Sequence, residues 1–153
     1  MELLKAEVQS VIGTFGDDYA VVVRAEEKAF LIYVGKPEVF AIFRELKGVP
    51  PQRPMSHEML CNVLTGFDIE VKMVVISSIV ENVFCATLVL SRTDRNGERS
   101  EVRLDTRASD AMIVALKTGS QLWVTHEVLD QVEDVTAMLP DDDDVDDLEN
   151  TAE

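Results

Sequence analysis

The stretch LDTRASDAMIVALKTG, Leu104–Gly119, reads as the end of a strand, a polar corner and then a short helix. Ala111, Met112, Ile113, Val114, Ala115 and Leu116 leave that helix almost no polar face, so it is expected in the core. Ser109 and Asp110 suit its first turn, where free backbone N–H groups and the helix dipole favour oxygen acceptors and negative charge. Lys117 falls in the last turn, and Gly119 can take the left-handed conformation that ends a helix. A well-capped core helix accounts for this pattern. Asp105 and Arg107, just before it at a strand end, are what raise a functional question, because charged groups in such corners often line sites.

On the N-terminal side of this element, Asn96-Gly97 is the strongest hairpin signal. It sets Val83–Arg92 against Glu101–Leu104 through a type I′ or related turn. Asp68–Ile79 reads as a further strand. Lys5–Ile12, Tyr19–Arg24 and Phe30–Val34, rich in β-branched residues and joined by short turns, suggest an antiparallel meander. Lys36-Pro37 opens a helix with an apolar face of Val39, Phe40, Ile42, Phe43 and Leu46, stopped by Gly48-Val49-Pro50-Pro51. A second helix is expected from an N-capping Ser56 to near Gly66, burying Leu60, Val63 and Leu64. After Gly119, Gln121–Val124 is a short strand, Thr125 caps a helix through Asp130, and order fades towards Leu139. The expected fold is one α+β domain over residues 1–135: a largely antiparallel sheet with three or more packed helices.

The chain of 153 residues is long enough for one domain with a real core, and its 46% hydrophobic and 28% charged residues match a soluble globular composition. The net charge of −15 is unevenly placed. From Pro140 the chain reads PDDDDVDDLENTAE, with eight acidic residues and no basic one; removing them leaves 21 acidic against 14 basic side chains, a net of −7. A disordered acidic tail over residues 136–153 is therefore expected. The acidic body argues against a broad nucleic-acid-binding surface, though not against an arginine cluster or a metal acting locally. There is no leader of the secretory type, no run of membrane-spanning length, and Cys61 and Cys85 read as buried free thiols. On these grounds the chain is expected in the cytoplasm, away from any membrane.

His57 falls in the first turn of the second helix, near Arg53 and beside Glu58. His57-Glu58 begins like a zinc-protease HExxH motif, but Cys61 stands where the second histidine belongs, and two ligands do not make a zinc site. As a lone histidine, His57 is as readily a structural hydrogen-bonder as a member of a site.

In order and spacing, Ile32-Tyr33-Val34-Gly35, Arg53-Pro54 with Ser56-His57-Glu58 and Leu60, and Phe84 with Ala86-Thr87-Leu88 form a pattern. Asp105, Arg107, Ser109-Asp110-Ala111, Trp123-Val124 and Glu127-Val128-Leu129-Asp130 complete it. This pattern resembles the bifunctional nuclease domain family from about Phe30 to Asp130. Ala108 departs from it, standing where the family carries Pro in an Arg-Pro-Ser-Asp-Ala motif, and Pro37 stands where an acidic residue is commoner.

The resemblance implies an α+β domain and metal-assisted cleavage of DNA and RNA. Asp105 and Asp110 would then supply oxygen ligands to Mg²⁺ or Mn²⁺. His57 would serve as general base or acid, and Arg53 or Arg107 would grip phosphate. A competing arrangement makes Asp105–Arg107 and Arg53–Asp110 ion pairs that lock strand ends to helix starts. The chain would then be a non-catalytic homo-oligomeric interaction module, a dimer in its simplest form.

Overall fold

The computed structural model describes residues 2–13 and 16–139. Seven strands form one sheet: β1 (Leu3–Gly13), β2 (Tyr19–Ala25), β3 (Lys28–Val34), β4 (Glu70–Val80), β5 (Val83–Thr93), β6 (Arg99–Arg107) and β7 (Leu122–Thr125). Their spatial order is β3-β2-β1-β7-β4-β5-β6. Every pairing is antiparallel except β4 with β7, where Val74 opposes Leu122 and Ile76 opposes Val124. The short β7 thus joins an N-terminal meander to a C-terminal one. The helices are α1 (Lys36–Lys47), α2 (Ser56–Gly66), α3 (Ala108–Thr118) and the six-residue α4 (His126–Gln131). Among the described residues no helix is long and apolar enough to cross a membrane.

The sheet curls around α3. Phe30 in β3 and Phe84 in β5 stack with ring centroids 6.0 Å apart, although four strands separate them in sheet order. Ala111, Met112, Ile113, Val114 and Ala115 are all buried, as an apolar helix with no wet face requires. They meet alternate residues of the concave face, among them Val21 and Val23 of β2, Val74 and Ile76 of β4 and Ala86 and Leu88 of β5. Gly119 closes α3 at φ 68°, and its N–H donates to the Ala115 carbonyl.

Several local expectations change. Leu64 is buried, but Leu60 and Val63 of α2 are exposed, since α2 presses on α3 with a polar flank and turns its apolar residues outward. Met55, not Ser56, is the residue before the helix, and its N–H donates to the Glu58 carboxylate at 3.1 Å. The tight two-residue hairpin lies at Glu81-Asn82, both with positive φ (51° and 65°) as a type I′ turn needs. Of Asn96-Gly97 only Gly97 has positive φ, and the loop is wider, organised by Asp94 accepting from the Asn96 and Glu98 N–H groups.

β6 runs to Arg107, so Asp105 lies within a strand and not in the corner after it. Cys61 and Cys85 are free thiols, half-buried rather than buried. Near the C-terminal limit, Val135 donates to the Ala29 carbonyl at 2.8 Å and a 3₁₀ turn follows at Thr136–Met138. The acidic stretch from residue 140 lies outside the described residues.

Candidate functional site

The site grows from the junction of β6, α3 and α2. β6 delivers Arg107 as the residue before α3, and Asp110 occupies that helix's first turn. Both Asp110 oxygens are engaged. Arg107 donates from Nε to Oδ2 at 3.0 Å and from Nη2 to Oδ1 at 3.2 Å, and His57 Nε2 lies 2.9 Å from Oδ1. Arg107 also reaches Glu38 of α1 at 3.5 Å, and Gly35, the residue before α1, leaves room for that carboxylate to fold back. A chain of polar contacts therefore runs Glu38–Arg107–Asp110–His57 across the N-terminal ends of three helices.

Two turns further along α3, Lys117 sits between two carboxylates, Glu45 of α1 at 2.5 Å and Glu58 of α2 at 2.8 Å. Asp110 and Lys117 are seven residues apart, which puts them on one face of the helix. The adjacent His57 and Glu58 thus hold α2 to α3 at two points. Burial acts to raise the Asp110 pKa, but hydrogen bonds from His57 and Arg107 outweigh it and hold the carboxyl below its usual range. For Glu58, burial is likewise outweighed by the hydrogen bond from Lys117. Lys117 is held above its usual value, the two carboxylates outweighing its desolvation. Burial raises the Cys61 thiol pKa, which keeps it a poor nucleophile.

Of the five residues singled out in the sequence, His57, Arg107 and Asp110 come together. The side chains of Asp105 and Arg53 make no hydrogen bond or ion pair among the described residues. Asp105 sits on exposed β6 opposite Thr87, and Arg53 on the exposed loop before α2. The expected ion pairs Asp105–Arg107 and Arg53–Asp110 are replaced by Arg107–Asp110 and His57–Asp110. The sequence reading missed Glu38, Glu45 and Lys117 as partners. The seven-residue spacing of Asp110 and Lys117, facing the neighbouring His57 and Glu58, was the signal for the last of these.

A resident divalent ion does not fit this donor set. Asp110 already faces a guanidinium and an imidazole, and among the described residues no three His, Cys, Asp or Glu side chains converge on one point. What the group offers instead is an oriented histidine beside an exposed arginine. His57 and Asp110 keep 23% and 31% of their side-chain surface and Arg107 keeps 66%, so a solute can reach all three.

Residues 21–136 match the bifunctional nuclease domain. Two proteins of Mycobacterium tuberculosis, one from strain CDC 1551 / Oshkosh and one from strain H37Rv, are each 31% identical to this chain over 113 residues. Both are described only as uncharacterized. The alignment covers 74% of this chain and 62% of each relative.

Proposed function

The chain belongs to the bifunctional nuclease domain family, and we propose that it cleaves DNA and RNA phosphodiesters with His57, Asp110 and Arg107 as its working groups. The observation that carries this reading is the 2.9 Å contact between His57 Nε2 and Asp110 Oδ1 beside a solvent-open guanidinium. A carboxylate at one ring nitrogen fixes the tautomer. When the imidazole is neutral, Nε2–H donates to Asp110 and Nδ1 carries the free lone pair. Nδ1 is then the atom that removes a proton from the attacking water or ribose hydroxyl, with Asp110 stabilising the imidazolium that forms. Arg107, held by Asp110 through Nε and Nη2, turns its remaining donors outward, where a phosphate gaining charge in the transition state would find them. No step here passes through a metal. Dependence on Mg²⁺ or Mn²⁺, with Asp105 among the ligands, is a separate proposal that activity with and without chelator tests.

The test is cleavage of single-stranded DNA and RNA by purified protein with Mg²⁺, Mn²⁺ or EDTA, beside folded His57→Ala and Arg107→Ala variants. Loss of the general base should slow turnover by about 10²–10⁴-fold. Arg107→Ala should act at least partly through KM. Cleavage that is equal in wild type and both variants would assign the activity to a contaminant. A second reading, an interaction module, is favoured by a different observation: Met59, Leu60 and Val63 of α2, with Phe67 just after it, are 40–61% exposed, a stripe apolar enough to seat a partner.

A further inference from the structure

β6 ends the sheet, and its outer edge has no neighbour among the described residues. Unprotected edges pair with other strands, and proteins guard them with charge. A guard of one sign repels a second copy. β6 instead alternates: Arg99, Glu101, Arg103, Asp105 and Arg107 share one face, and Ser100, Val102, Leu104 and Thr106 share the other. The second set continues the concave, helix-bearing side, because Leu104 opposes Leu88 and Val102 opposes Leu90 of the core. Yet Val102 is 52% exposed and Leu104 43%.

We propose that β6 pairs antiparallel with β6 of a second copy about a two-fold axis at Val102, making one continuous sheet through a homodimer. Antiparallel self-pairing about a residue joins positions whose numbers sum to twice that residue. Centred on Val102, Arg99 opposes Asp105 and Glu101 opposes Arg103, so every facing pair on the charged side is of opposite sign. Centred on Arg103, Arg99 would oppose Arg107 and Glu101 would oppose Asp105, which is repulsive throughout. A centre at Leu104 also joins opposite signs, but it calls on Arg107, already committed to Asp110 and Glu38. The Val102 register joins Asp105 to Arg99, two charges that form no ion pair within their own chain among the described residues. Glu101, by contrast, already holds Lys72 and Arg103.

Two copies so paired would meet over Val102 and Leu104, the apolar side chains that β6 leaves exposed. The two Arg107 residues would stand about 34 Å apart, ten strand residues at about 3.4 Å each, leaving both sites open. The dimer stands or falls independently of the nuclease reading.

Sedimentation velocity at low salt tests it. The wild-type protein is expected at twice the 17.0 kDa chain mass. Asp105→Arg, an exposed change checked for folding by circular dichroism, should weaken the dimer at least tenfold. Arg99→Asp combined with Asp105→Arg should restore it. A dimer indifferent to Asp105→Arg, or a monomeric wild type at high micromolar concentration, would overturn the interface. Restoration by Arg103→Asp with Asp105→Arg would overturn the register. In a Cys61→Ser/Cys85→Ser background, Val102→Cys should cross-link the two copies on oxidation more readily than Leu104→Cys. The reverse ranking would contradict the axis.

Discussion

α2 and α3 are both 11-residue helices, lie against each other and carry many apolar residues, yet they meet solvent in opposite ways. α3 is enclosed by the curled sheet, α1 and α2, and every residue from Ala111 to Ala115 is buried. α2 reaches the body through His57, Glu58 and Leu64, with ion pairs at its first turn, and shows solvent its apolar side. Apolar content alone therefore does not decide which face of a helix is buried. Neighbouring elements decide it, and a polar clamp can hold a helix while freeing its apolar stripe for another partner.

The contrast can be broken by substitution. Ile113→Ala in α3 should cost about 2–5 kcal/mol, read from urea or thermal unfolding, because it leaves a cavity in a region that cannot collapse. Lys117→Ala should cost about 1–3 kcal/mol by leaving Glu45 and Glu58 facing each other half-buried without their cation. Asp110→Asn should cost about 1–2 kcal/mol, since it weakens charge-assisted bonds that are partly open to water. At the small end, Leu60→Gln should change the stability of the single chain by no more than about 0.5 kcal/mol. A cost from Leu60→Gln matching that of Ile113→Ala would erase the contrast.

Acid sharpens the comparison. Asp110 and Glu58 have folded pKa values below their unfolded ones, so their contribution is fully present above about pH 4.5 and is lost as pH falls through the folded values. The unfolding midpoint should fall as pH drops below about 4, and Asp110→Asn should remove part of that fall. An unchanged acid slope in Asp110→Asn would show that the His57–Asp110–Arg107 group does not hold α2.

Much of this was legible in the sequence, and where it was not the reason is physical. α3 was readable along its length because its apolar run admits only burial and Gly119 closes it; its N-terminus differs, since no side chain caps it and Asp110 turns its oxygens to Arg107 and His57. The strands followed from β-branched runs. β6 was read short because its alternating charges carry little strand propensity, and its length is set by pairing with β5. The place of β7 between β1 and β4 depends on long-range pairing, which four residues cannot encode locally. In α2, Leu60, Val63 and Leu64 look alike in sequence, and only the docking of His57 and Glu58 on α3 separates them. For the site, the residue types at 57, 107 and 110 were visible. Their pairing was not: sequence neighbourhood suggested Arg107 with Asp105 and Arg53 with Asp110, and only the turn from β6 into α3 places Arg107 against Asp110.

The most direct measurement is imidazole rescue of folded His57→Ala protein in a nucleic-acid cleavage assay. If His57 supplies the proton transfer, the variant is nearly inactive and added imidazole restores cleavage in proportion to its concentration. A folded variant that cleaves as fast as wild type without imidazole would contradict the account. So would a wild-type protein that cleaves neither DNA nor RNA with Mg²⁺, Mn²⁺ or EDTA, and that outcome would leave the interaction module as the reading to pursue.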